Sequence, residues 1–172
     1  MENTQKTRKW SDLRGLAVVT LYDGKKAGTC DDFYFDPATQ QIYALRVKTG
    51  LFGHKVLLVT DINGIGENAI TTANEERLRK ESEDKRLSTL ILGQDLLSYK
   101  VMSASGTLLG TIGNVLLATD TPTTPRLTTF ELSGGLREHL SRRYLTFPAK
   151  QVVSYGADVL VIPDEVAKSL QN

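Results

Sequence analysis

The sequence predicts a mainly all-β protein: two small antiparallel β-barrels joined by a short charged helical linker. Three observations carry that expectation. First, the pattern Asp23-Gly24-x3-Gly28-x3-Asp32 recurs as Ser105-Gly106-x3-Gly110-x3-Asn114 at an offset of 82, which also carries Phe35 onto Leu117 and Leu45 onto Leu127. Second, each half is a series of short β-branched and aromatic runs separated by Gly, Asp and Pro turn signals. Third, residues 74–86 hold five acidic and five basic side chains among thirteen, a composition that suits a solvated joint. The predicted boundaries are 1–72, 73–92 and 93–172.

Within the first copy, Leu16 to Tyr22 reads as a strand that stops at Asp23-Gly24, a pair favouring a type I′ hairpin turn. The chain returns through Lys25 to Phe35, with Phe33 and Phe35 on one face by the two-residue period of a strand. Asp36-Pro37-Ala38-Thr39 is the next turn, closed by the Asp side chain and the fixed φ of Pro37. Ile42 to Lys48 alternates Ile42, Ala44 and Arg46 against Tyr43, Leu45 and Val47, so one side is chiefly apolar, a Gly-flanked loop follows over 49–54, and Lys55–Val59 and Asn68–Thr72 complete the copy. Closure into a barrel would remove two unpaired edges.

In the linker, Asn74 is the expected N-cap, with Glu76–Lys80 and Glu81–Lys85 as i,i+4 pairs. The apolar stretch Leu87–Leu97 is too apolar for water, and Leu90, Ile91 and Leu92 are expected to bridge the copies or to seal the second one. Further on, Val56-Leu57-x-Val59 aligns with Tyr144-Leu145-x-Phe147, and Asn63–Ile70 with Val153–Leu160, after a longer loop in the second copy. Such insertions fall at turns, where added length costs little.

The string from Ser11 to Lys48 resembles the opening of a PRC-barrel domain: Ser11-Asp12-Leu13-x-Gly15, then Asp23-Gly24, Gly28-x3-Asp32 and Asp36-Pro37-x-Thr39, with a closing segment similar to Val56–Thr72. The second half keeps Gly106, Gly110 and Gly156, but Asn114 replaces the Asp and the Asp-Pro turn has drifted to Asp120–Pro125. The resemblance implies a barrel like that of the cytoplasmic part of the photosynthetic reaction-centre H subunit and of the C-terminal half of a small-ribosomal-subunit maturation factor. It implies a binding and assembly role with no shared catalytic residues. Asp23, Gly24, Gly28, Asp32, Asp36, Pro37, Gly66, Gly106, Gly110 and Gly156 are then structural turn positions.

Composition narrows the function classes. Of the 172 residues, 21 are Lys or Arg and 20 are Asp or Glu, and each segment is separately near neutral. That balance argues against a dedicated nucleic-acid binder, which needs many cations to neutralise phosphates. The single Cys30 excludes an internal disulfide, and with two neighbouring acids it is expected to be a poor nucleophile. No apolar run has the length of a membrane span, and the polar start lacks a secretory signal, so a cytoplasmic protein is expected. His54 and His139 are read as loop histidines, because a metal needs three or four converging ligands. The trio Asp31, Asp32 and Asp36 lacks the spacing and closing Glu of a calcium loop. No nucleophile elbow is present, and Gly64-Ile65-Gly66 lacks its βαβ context. No catalytic residue, cofactor or metal is expected.

The candidate partner contacts lie in the loops. Leu51 and Phe52 sit at a loop tip between Gly50 and Gly53, either folded back over the barrel end or exposed as a contact. The longer loop of the second copy offers Leu136 and Leu140 beside a basic cluster of Arg137, Arg142 and Arg143. Trp10 either covers the barrel edge or anchors an interface. The expected function is a non-catalytic protein-interaction and assembly module, with peripheral association to a membrane complex in its range. The alternative is a ribosome- or RNA-associated factor using the basic loop.

Overall fold

A computed structural model describes residues 7–133 and 145–171. The first half comprises β1 (Thr7–Lys9), α1 (Trp10–Leu13), β2 (Ala17–Thr20), β3 (Lys26–Asp36), β4 (Gln41–Thr49), β5 (Gly53–Leu58), β6 (Ile62–Ile65) and β7 (Ala69–Thr72). After β8 (Leu78–Arg79), the second half comprises β9 (Ile91–Leu92), α2 (Gly93–Leu96), β10 (Lys100–Ser103), β11 (Leu108–Ala118), β12 (Arg126–Ser133), β13 (Thr146–Pro148), β14 (Ser154–Tyr155), β15 (Val159–Ile162) and α3 (Asp164–Gln171). The protein is mainly β.

The same pairings occur in both halves. β2 runs parallel to β7 and antiparallel to β3, as β10 does with β15 and β11. The bulge in β3 between Cys30 and Asp32 has its counterpart between Ile112 and Asn114. A side chain at Gly28 would drive Cβ to 2.6 Å from the Lys48 carbonyl oxygen, and one at Gly110 to 2.8 Å from that of Ser133. Close backbone approach therefore demands glycine at both positions.

The halves exchange strands. β1 pairs with β11 of the second half, placing Lys9 opposite Leu116, while β9 pairs with β3 of the first half, placing Leu92 opposite Tyr34. Ile91 and Leu92 thus bridge the halves: Ile91 packs on the main core, while Leu92 and Leu90 pack on a small apolar cluster. A third join links β4 to β12 at Gln41 and Arg126. Beside it Gln40, at a φ of 60°, accepts the Leu127 N–H at 3.0 Å and donates to the Tyr155 hydroxyl at 3.2 Å. The cost of a non-glycine residue in that region is met by bonds to the other half.

The structure departs from expectation in the closure of the barrels, the form of the joint and the type of the first turn, while the two copies pack together as expected. Among the described residues the strands form one open ladder from β14 to β6, and pairing does not close either half. Side chains of both halves, including Phe33, Phe35, Leu45, Val101, Phe130 and Leu160, form one continuous core. The joint is not an α-helix either. It makes short 3-10 turns at Glu75–Arg77, Glu81–Glu83 and Lys85–Thr89, Asn74 provides no side-chain cap, and Leu78 is buried. At Asp23-Gly24 only Gly24 has a positive φ, so the turn is not type I′: the Gly24 N–H reaches back to the Thr20 carbonyl at 2.8 Å. The Asp36 turn is as expected, with the carboxylate accepting the Ala38 N–H at 3.0 Å.

Candidate functional site

The β2–β3 turn and the β4–β5 turn project from one end of the first half, because β3 and β4 are antiparallel neighbours with Thr29 opposite Lys48. Leu21 and Tyr22 stand on the first turn, Leu51 and Phe52 on the second. The Leu21 and Tyr22 N–H groups bond the Thr72 and Ala73 carbonyls at 2.8 and 3.0 Å, which fixes the backbone while the side chains point to solvent. Tyr22 is 88% exposed, Leu51 84% and Phe52 94%, and these with Leu21 are four of the six exposed large apolar residues described. Phe52 therefore does not fold back over the barrel end. Isolated exposed apolar residues are ordinary, but four on two turns at the same end make that end the candidate interaction surface.

A second feature lies on the outer face of β3–β5, where residues 81–92 form a strap. The Tyr34 hydroxyl donates to Glu81 at 2.6 Å and the Tyr43 hydroxyl to Asp84 at 2.7 Å. Burial, then the carboxylate partner, raises the Tyr34 pKa, whereas for Tyr43 the Asp84 bond is the larger cause. Arg86 reaches Asp36 at 2.8 Å and lies over the Tyr43 ring, and Leu87 is buried against Tyr34, Ala44 and Val56. A groove of about 600 Å³ runs along the strap, lined by Tyr34, Arg46, Glu81, Asp84, Leu87 and Leu92. The polar contacts lining it are largely spent on holding the strap.

The acids singled out in the sequence are dispersed among different partners. Asp32, buried, accepts the Phe33 N–H at 2.8 Å and the Gln94 N–H of α2 at 3.2 Å. Burial raises its pKa against the lowering effect of those bonds. In the matching place Asn114 accepts the Val115 N–H and donates to the Ser11 hydroxyl of α1 at 2.8 Å. Asp36 holds its turn and Arg86, while Asp31 faces Arg14 at 3.9 Å and His54 at 3.4 Å. The thiol of Cys30 is pushed up to about 12, first by burial and then by Asp31 and Asp32. Among the described residues no three His, Cys, Asp or Glu side chains cluster as metal ligands would.

The other proposed contacts divide clearly. Trp10 is 3% exposed and meets Phe33 edge-on, with centroids 4.7 Å apart, so it is a core residue and not a surface anchor. Leu136, Arg137, Leu140, Arg142 and Arg143, with His139, lie outside the described residues. Sequence reasoning missed Leu21 and Tyr22 because they extend the strand-like run LAVVTLY. The signal was positional, since both fall within the last residues before Gly24, where a strand ends and its side chains lose their cover.

Residues 6–78 match the family model of the PRC-barrel domain. No curated protein matches the chain. No helix among the described residues is long and apolar enough to cross a membrane.

Proposed function

We propose that this chain, whose residues 6–78 match the PRC-barrel domain, is a non-catalytic interaction and assembly module that docks onto a membrane-associated protein complex in the cytoplasm. The observation that carries the reading is the end bearing Leu21, Tyr22, Leu51 and Phe52, which leaves apolar area in water that a counter-surface would remove at roughly 25 cal/mol per Å². In this reading residues 93–172 are a diverged second copy, supported by the recurring pairings and by the reciprocal exchange of β1 and β9. The second copy then serves as a built-in partner that stiffens the first. A buried free thiol at Cys30 suits a reducing compartment.

The test is capture of the complex from native cells by the full chain, compared with Leu51→Ser/Phe52→Ser. The reading expects a defined set of proteins that the double variant loses. Equal recovery by both proteins would refute docking through this end. The RNA-associated alternative rests on Arg137, Arg142 and Arg143, which lie outside the described residues.

A further inference from the structure

A cleft of about 520 Å³ opens on the seam between the halves, at the opposite end of β3 and β4 from Phe52. One wall is the β3–β4 turn at Thr39 and Gln40, and a second is β12 at Arg126 and Thr128. The third is Pro148, which ends β13, with Lys150 in the 3-10 turn Ala149–Gln151. The rim is already built. Gln40 keeps its φ of 60° through bonds from its side-chain amide to the Ala149 carbonyl and the Tyr155 hydroxyl, and its own carbonyl accepts the Leu127 N–H. Residues held in costly backbone conformations by surrounding bonds cluster at ligand clamps.

Charge separates this cleft from the groove along the strap. In that groove Arg46 meets Glu81, and Arg86 beside it meets Asp36. No Asp or Glu lines the seam cleft, and neither Arg126 nor Lys150 forms a salt bridge among the described residues. Of the acids on the adjoining elements, Asp36 is held by Arg86 and Glu131 by Lys9, while Asp120 does not line the cleft. The repeat supplies a comparison. Arg126 opens β12 as Gln41 opens β4, and Lys150 is the middle residue of its 3-10 turn as Thr60 is of Val59–Asp61. The fold therefore requires a cation at neither position.

The donors converge on one chemistry. A guanidinium offers paired N–H groups to phosphate oxygens, and an ammonium adds a compact charge. The Thr39 hydroxyl accepts the Gln41 N–H at 3.3 Å, which leaves its own O–H to donate. Pro148 and the Thr128 methyl leave an apolar wall for the body of a ligand, and the volume is that of a small-molecule site. We propose that this cleft binds the phosphate group of a small phosphorylated molecule, with Arg126 and Lys150 holding its oxygens and Thr39 donating to it. Because the walls belong to both halves, occupancy ties the halves together and stabilises the folded chain. The site and the docking end are separate, so either can fail without the other.

Titration of the full chain with inorganic pyrophosphate tests it, against chloride at matched ionic strength. A saturable rise in Tm is expected, together with shifts of the Gln40, Leu127 and Lys150 amide resonances. Arg126→Gln and Lys150→Gln should each weaken binding ~10-fold. Both side chains are exposed, so the Tm without ligand should not change. Arg126→Lys should recover only part of the affinity, because the paired donors are lost. Lys26→Gln, at the other end of β3, should bind as the wild type does. An equal rise in chloride, Arg126→Gln and Lys150→Gln that bind like wild type, or resonance shifts away from the cleft would each overturn the site. A short oligouridylate that binds more tightly than pyrophosphate, and loses affinity steeply with salt, would make nucleic acid the occupant and overturn the small-molecule assignment.

Discussion

Gly93→Ala gives opposite signs for docked and independent halves. Gly93 opens α2, where alanine is the better helix former by up to ~1 kcal/mol. If the halves did not touch there, the substitution would be neutral or stabilising. In the structure, an added Cβ would lie 2.5 Å from the Asp32 carboxylate and 2.5 Å from the Phe33 ring, both in the first half. Neither neighbour yields easily: Phe33 is fully buried and held by Trp10, and Asp32 is bonded to the Phe33 and Gln94 N–H groups. Overpacking of this kind costs ~1–3 kcal/mol, and two contacts at 2.5 Å with held neighbours place it at the upper end, which leaves a net loss of about 2 kcal/mol and a fall in Tm of about 4–8 °C for a chain of this size. Urea and thermal unfolding read by the single Trp10, beside the perturbed ring, measure it directly. A Tm equal to or above that of the wild type would refute the seam.

Three further outcomes follow from the same contacts. Asp32→Asn keeps an acceptor for the Phe33 N–H, as Asn114 does for Val115; because burial raises the Asp32 pKa, the wild type gains stability as pH falls through that value and loses it as pH rises, so the variant should be relatively more stable above it, and a difference independent of pH would contradict this. Leu87→Ala, which uncovers the small cluster under the strap, should cost ~2 kcal/mol and speed hydrogen exchange over residues 81–92; exchange unchanged there would show that Leu87 does not hold the strap. Cys30 should resist a disulfide reagent in the native protein and react promptly in urea, and native reactivity like that of the unfolded chain would contradict its burial.

Local chemistry made much of the first half readable in advance. Asp36-Pro37 specified its turn, the two-residue period put Phe33 and Phe35 in the core, and Asp23-Gly24 marked a hairpin, whereas Gly28, read as a turn position, lies within β3 where the backbones approach closely. What the sequence left hidden is non-local. Nothing in Thr7–Lys9 announces pairing with the opposite half, and the apolar run at Leu90–Leu92 pointed to a bridge without showing that it would be a strand on β3, since two- or three-residue strands carry almost no periodicity. The joint misled for a related reason: its charges fit a solvated helix, but Tyr34, Tyr43, Asp36 and Arg46 supply partners that favour a strap of tight turns. Trp10 was ambiguous because tryptophan serves cores and interfaces alike, and only its contact with Phe33 decides. At the candidate site Leu51 and Phe52 were legible from their flanking glycines, whereas Leu21 and Tyr22 were concealed by a hydrophobic run that outlasts its strand.

The central claim is that the chain docks through the end bearing Phe52. Photo-crosslinking inside native cells tests it most directly, with a benzophenone amino acid placed at Phe52 in one variant and at Val153, 61% exposed in the second half, in another. The account predicts a defined protein adduct from position 52 and none from position 153. Adducts from position 153 alone, or none from position 52, would contradict it.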